Sequence, residues 1–155
     1  PTAKIGFKTK STPEGASDEP ISPLSFAITA GATFAARAFA GDLVGLTEIM
    51  AAAIAHKGFS VVDILQPCVT FDKVHTYQWF RQRLYKIETE AGYDPTNRMK
   101  AIEKAFEWGD KIPFGIFYKE DRPTSEDREA ALQTSTLVSK NLEIAHWDKL
   151  IAEFI

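Results

Sequence analysis

The chain has 155 residues, of which 45% are hydrophobic and 25% charged, and its formal net charge is −3. That length and balance suit one globular domain with a real core, and they exclude the basic face that a nucleic-acid binder needs to neutralise phosphates. No apolar run approaches the roughly 20 residues of a membrane span, no charged-then-apolar leader opens the chain, and the single cysteine fits a reducing, cytoplasmic setting.

Residues 1–22 are rich in Lys, Thr, Ser, Pro, Gly and acid, and read as an extended lead-in loop. Ser22 is placed to cap a short helix with Pro23 at its first position, and Gly31 to end it in a left-handed conformation. Thr33 to Phe39 reads as a strand. Asp42 then caps a helix in which Leu43, Leu46, Ile49, Met50, Ala53 and Ile54 recur at helical spacing. His56 and Lys57 suit its negative end, and Gly58 closes it. Phe59 to Gln66 predicts a buried strand. Strand, helix and strand within 34 residues make a βαβ unit, which requires parallel strands and a right-handed crossover.

The next stretch, 75–90, is aromatic and charged (Tyr77, Trp79, Phe80, Leu84, Tyr85, Ile87) and reads as helical at least in part. Tyr93-Asp94-Pro95-Thr96 turns the chain into a helix from about Asn97, with Met99, Ile102, Phe106 and the alanines between on its apolar face and Gly109 at its end. Ile112 to Tyr118 is a short strand, and Thr124-Ser125-Glu126-Asp127 matches a capping box. A last amphipathic stretch carries Trp147, Leu150, Ile151 and Phe154 on one face. The expected fold class is α/β: a lead-in loop over 1–22, a parallel-sheet βαβ core over 23–72, and a mostly helical C-terminal extension of the same domain over 73–155.

In a parallel sheet, ligands bind beyond the carboxyl ends of the strands. Cys68 lies two residues past the second predicted strand at that end, and Pro67 turns the chain before it. From position alone the thiol is either a site residue or a small buried hydrophobe, the commoner fate of a free cysteine. His56, His75 and His146 have no metal-ligand spacing, and neither H-E-x-x-H nor paired C-x-x-C occurs. The P-loop, the dinucleotide glycine fingerprint and Gly-x-Ser-x-Gly are absent. His56 reads as a surface residue at a helix end, Asp42 as a cap, Lys4, Lys8 and Lys10 as solvated charges, and Trp79, Trp108 and Trp147 as packing residues.

Four segments in order resemble the β subunits of the 2-oxoacid:ferredoxin oxidoreductases. They are Lys8-Thr9-Lys10-Ser11-Thr12-Pro13-Glu14-Gly15, Ala30-Gly31-Ala32-Thr33-Phe34-Ala35-Ala36-Arg37, the run Phe59 to Phe71 ending in Leu65-Gln66-Pro67-Cys68-Val69-Thr70-Phe71, and Ile112 to Thr124. The resemblance covers roughly residues 1–125. It implies the C-terminal half of a thiamine diphosphate-binding α/β domain, in a subunit that carries thiamine diphosphate, Mg²⁺ and a [4Fe–4S] cluster. It also implies an α subunit, ferredoxin, a 2-oxoacid and coenzyme A as partners and reactants.

On that resemblance Cys68 is the remote fourth cluster ligand, the other three cysteines coming from the subunit's N-terminal half, and Thr2 ends a Ser-Pro-Thr element beside the cofactor. The N-terminal half of the family, which also holds Mg²⁺ and the diphosphate, has no counterpart in the sequence. The resemblance therefore implies a chain that is inactive alone, since one thiolate of four does not hold a cluster. The alternative is a non-catalytic binding or assembly module derived from the same fold.

Overall fold

All six residues of the strand Phe34–Phe39 (β1) are buried, so this alanine-rich segment is covered on both faces. The computed structural model describes residues 3–140 and 147–155. They form two units, Pro1–Arg122 and Pro123–Ile155.

In the first unit a four-stranded sheet runs in the order β2-β1-β4-β3, with β2 at Ser60–Leu65, β3 at Leu84–Lys86 and β4 at Ile112–Lys119. β1 and β2 are parallel, joined by the helix Leu43–Ala55 (α2), as the βαβ reading requires. β3 and β4 are also parallel, but β1 and β4 are antiparallel, so the sheet is mixed. Phe34, Ala36 and Ala38 face α2 through Ile49 and Ala53. Ala35 faces the opposite layer, made by the helix Pro23–Thr29 (α1) and a helix over 98–105, with Leu24, Ile28, Ala101, Ala105 and Phe117 as its core. Small residues on β1 let both layers approach the sheet closely.

The caps fall where the residue types put them. The Ser22 hydroxyl accepts from Ser25 N, the Asp42 carboxylate from Gly45 N, and Gly31 closes α1 at φ +100°.

Two expectations change. The strand at Phe59 to Gln66 is not the buried one its sequence predicts: β2 pairs on one side only and leaves Ile64 41% exposed, because it is the sheet edge. Residues 75–90 are helical in part, as expected, at Tyr77–Arg81 (α3) and in a 3-10 turn at Ile87–Thr89; between them Leu84–Lys86 is drawn into the sheet by β4, where Ile112 N–H donates to the Arg83 carbonyl at 2.9 Å. Here tertiary pairing overrides a helical pattern. The helix after Asn97 is Arg98–Ala105 (α4), and it buries Ala101 and Ala105 while Met99 and Phe106 point to solvent. Its small face is what allows Ser22 Oγ to reach the Ala105 carbonyl at 3.1 Å.

β4 carries a bulge opposite Ala35 and Ala36. There Ile116 N–H donates to Glu88 Oε1 at 2.9 Å, a carboxylate in the place of a strand partner. Gly115 makes room for it: its φ is +125°, and a Cβ there would run into the Glu88 carboxylate.

The second unit is built locally. Thr124 and Asp127 form the expected capping box at the start of Ser125–Arg128 (α5). Gln133 Nε2 donates to the Glu126 and Asp127 carbonyls at 3.1 and 2.8 Å. In Trp147–Ala152 (α6) and the residues after it, Trp147, Leu150, Ile151 and Phe154 are exposed rather than packed. Among the described residues no helix is long and apolar enough to cross a membrane.

The most heavily buried charge is Arg37, in the middle of β1 and 2% exposed. Its Nε donates to Asp63 Oδ2 at 3.0 Å, from the residue directly opposite on β2. Its terminal nitrogens reach the carbonyls of Pro113 and Ala105 at 3.4 and 3.5 Å, and its guanidinium lies over the rings of Phe117 and Trp108. Burial pushes the guanidinium down from its usual range, and the charge and hydrogen bond of Asp63 oppose that shift. Asp63→Ala removes the partner and leaves the charge buried, and is expected to cost about 3 kcal/mol in chemical denaturation. Arg37→Met combined with Asp63→Leu removes both charges and is expected to recover most of that loss.

Candidate functional site

The carboxyl ends of β1 and β2 lie side by side, with Phe39 opposite Leu65 in register. Beyond them the chain makes two close turns. After β1, Gly41 sits where a Cβ would collide with the rings of Phe39 and Tyr77, and its carbonyl accepts from Arg81 of α3 at 3.3 Å. Phe39 packs on Tyr77 and Phe80 with ring centroids 5.8 Å apart in each case. α3 is therefore clamped over the strand ends, where ligands gather in this class of sheet.

After β2, residues 66–76 form the loop that holds Cys68. Its thiol is free and exposed, so the reading of Cys68 as a buried hydrophobe does not hold. Val69, Phe71 and Val74 around it are also more than half exposed. The Cys68 carbonyl accepts from Phe71 N–H at 3.1 Å and from Asp72 N–H at 2.8 Å, closing one turn. Asp72 Oδ1 accepts from Val74 N–H at 2.8 Å and His75 N–H at 3.0 Å. Its Oδ2 takes a hydrogen bond from His75 Nδ1 at 2.6 Å. The His75 ring sits against Phe7 of the lead-in and edge-on to Trp79, with centroids 5.5 and 4.6 Å away. Burial acts to raise the Asp72 carboxyl, but the hydrogen bonds from His75 and Val74 outweigh it and hold the group below its ordinary value.

Several other charged groups have partners of their own. Lys104 Nζ bonds Glu90 at 2.5 Å and Glu107 at 2.7 Å. Tyr85, whose hydroxyl bonds Glu107 at 3.1 Å, is pushed up to about 12 chiefly by burial. His56, expected at the surface, is half-buried, with its Nε2 2.8 Å from Thr33 Oγ1. Asp42 is a cap, as expected. Trp79 packs against the core, while Trp108 and Trp147 are 45% and 58% exposed. No group of three His, Cys, Asp or Glu side chains suited to a metal ion occurs among the described residues. Thr2 and His146 lie outside the described residues.

The family described as the C-terminal part of the pyruvate ferredoxin oxidoreductase β subunit matches residues 68–134, beginning at Cys68. The chain is 39% identical over 140 residues to the 2-oxoacid:ferredoxin oxidoreductase β subunit of Saccharolobus solfataricus, covering 84% of this chain and 46% of that one. It is 41% identical over 140 residues to the β subunit of 2-oxoacid:ferredoxin oxidoreductase 1 of Aeropyrum pernix, covering 84% of this chain and 44% of the relative. A solved 2-oxoglutarate:ferredoxin oxidoreductase from Magnetococcus marinus, with 2-oxoglutarate, coenzyme A and succinyl-CoA bound, superposes with a TM-score of 0.80 at 30% identity. That match covers 98% of this chain and 50% of the other.

Over 84% of its length the chain is similar to β subunits of the 2-oxoacid:ferredoxin oxidoreductases.

It spans about half the length of the β subunits it matches. Sequence reading singles out Cys68 but passes over the Asp72–His75 pair and the Arg37–Asp63 pair. The i, i+3 spacing of Asp72 and His75 is a usable signal, because an aspartate readily accepts from the backbone two and three residues on. The Arg37–Asp63 pair needs the strand register, which the sequence does not display.

The depressed Asp72 carboxyl has a definite pH signature. A group held below its unfolded value, about 3.9 for aspartate, adds stability above that pH and loses it as the pH falls through the folded value. Asp72→Ala should therefore destabilise most above pH 4, and the difference from the parent should shrink toward pH 3 and below. Denaturant midpoints of the two proteins at a series of pH values measure this.

Proposed function

We propose that the chain is the C-terminal part of the β subunit of an enzyme that converts a 2-oxoacid and coenzyme A to an acyl-CoA and CO₂, passing two electrons to ferredoxin. The observation that carries this reading is the exposed, free Cys68 at the first residue of the family match, on a loop at the carboxyl ends of parallel strands. Supporting it is similarity to oxidoreductase β subunits over 84% of the chain.

Thiamine diphosphate with Mg²⁺ stabilises the carbanion formed on decarboxylation, and a [4Fe–4S] cluster carries electrons one at a time when these groups are bound. The residues of this chain fit one part of that set. Cys68 supplies one thiolate of the four that a cluster takes, and it is free and exposed, open to ligation. Thr2 is assigned to the thiamine diphosphate site by its resemblance to the end of the family's Ser-Pro-Thr element. Neither residue holds a cofactor unaided, so the site is completed by the N-terminal half of the β subunit and by an α subunit, and the isolated chain is inactive. The exposed Val69, Phe71 and Val74 give these segments an apolar surface to cover. The reading places the assembly in the cytoplasm, since a thiolate-held cluster and a single free cysteine both suit a reducing compartment.

The test is Cys68→Ala in the complete β subunit, purified with its α partner. Iron content and the electron paramagnetic resonance signal of the reduced cluster should fall to background, together with 2-oxoacid-dependent viologen reduction. An intact cluster in the variant would remove Cys68 from the ligand set. The isolated chain should show no 2-oxoacid-dependent viologen reduction under the same conditions, and activity from it would overturn the need for a second segment.

A further inference from the structure

We propose that Asp72 and His75 are positioning residues that hold the Cys68 turn in the geometry a thiolate ligand needs; this rests on the reading of Cys68 as a ligand. The thiol is free and exposed, so backbone bonds rather than side-chain contacts define where it points. Those bonds run through Asp72. Its N–H closes the Cys68 turn at 2.8 Å, and its carboxylate then takes three hydrogen bonds, from Val74 N, His75 N and His75 Nδ1.

The anchor is the His75 ring. It packs against Phe7, Trp79 and Phe80, with ring centroids 5.5, 4.6 and 6.5 Å away. Phe80 is buried against Phe39 and Leu65 at the strand ends. Position is thus passed from the sheet to Phe80, to His75, to Asp72 and so to the Cys68 carbonyl. Helix capping does not explain the carboxylate, because Thr76 caps α3 by accepting from Trp79 N–H at 3.2 Å. The three bonds to Asp72 are spent on the loop that carries the thiol. A ligand held by such outer groups binds its metal in a ready-made geometry, and losing one typically weakens the site about 10–100-fold.

Two measurements separate this role from general stability. In the chain, Asp72→Ala should speed amide hydrogen exchange at residues 71 and 72 by about tenfold or more, leaving the amides of β1 and β4 unchanged. Asp72→Asn keeps a side-chain oxygen for the Val74 and His75 N–H groups and should show a smaller rise. In the assembled enzyme, Asp72→Ala and His75→Phe, which keeps a ring in place but loses the bond to Asp72, should shift the midpoint potential and paramagnetic line shape of the cluster. Both should also speed iron loss to a chelator, with Asp72→Asn intermediate. Unchanged exchange at residues 71 and 72 would overturn the proposal, as would faster exchange with an unaltered cluster signal and chelator rate. If Cys68→Ala keeps the cluster, the ligand assignment has failed instead, and the exchange data alone then judge whether Asp72 holds the turn.

Discussion

The structure turns on a positive charge placed where water cannot reach it. Arg37 sits in the central strand of the sheet, and every element around it is arranged to keep that charge satisfied. Asp63 on β2 faces it, carbonyls from β4 and the end of α4 accept from its tips, and two aromatic rings cover its plane. Desolvating a guanidinium is expensive, and only several simultaneous partners offset it. The consequence is register. A one-residue slip of β2 against β1 would move Asp63 to the other face and leave Arg37 unpaired. The parallel pairing of an otherwise apolar strand pair is thereby tied to one alignment. That alignment puts the ends of β1 and β2 together and fixes where the Cys68 loop begins.

From that start the loop is positioned by short-range contacts. α3 lies over the strand ends because Gly41 permits the rings of Phe39 and Tyr77 to close, and Phe80 fills the space between Leu65 and Ile112. His75 then joins three stretches that are distant in sequence or direction: the lead-in at Phe7, the helix at Trp79 and the loop at Asp72. Aromatic contacts set the ring and a charge-assisted hydrogen bond sets its rotation. The outcome is an exposed thiol on a braced turn. A thiol that must meet ligands from elsewhere needs both properties, since burial would block it and a loose turn would raise the entropy cost of binding.

Local chemistry was the legible part of the sequence. Ser22, Asp42, Asn97 and Thr124 each act within three residues of themselves, and each is a cap in the structure. The βαβ unit was readable for a similar reason: α2 carries its periodicity within one segment, and the crossover rule does the rest. What could not be read depends on partners far along the chain. β3 is three residues long and exists because β4 pairs with it. The antiparallel meeting of β1 and β4 follows from packing, not from either strand's composition. In α4 the alanines and Ile102 were read correctly, but Met99 and Phe106 misled, because the face that touches the core is the small one, chosen for closeness rather than area. At the site the division is the same. Cys68 was visible as a lone thiol in a distinctive run, whereas the role of His75 depends on Phe7, 68 positions earlier.

The same distinction bears on the large exposed residues of α2. Its helix has Glu48 as the only charged side chain, yet Leu43, Val44 and Ile54 are each at least 72% exposed while Ile49 and Ala53 are buried. A surface helix normally carries a polar outer face, and an apolar one is the mark of a helix buried on both sides. α2 covers one face of the sheet and starts just past the carboxyl end of β1, beside the Asp42 cap. The chain accounts for about half of each related β subunit, so surfaces of this kind are expected wherever a larger protein continues the core. The open edge of β2 belongs with that observation. Among the described residues no strand pairs with its outer side, and Ile64 and Phe59 lie exposed along it. The fold is self-sufficient around Arg37, where its charges are paired and its layers closed. It is open along α2 and β2, where large apolar side chains meet solvent.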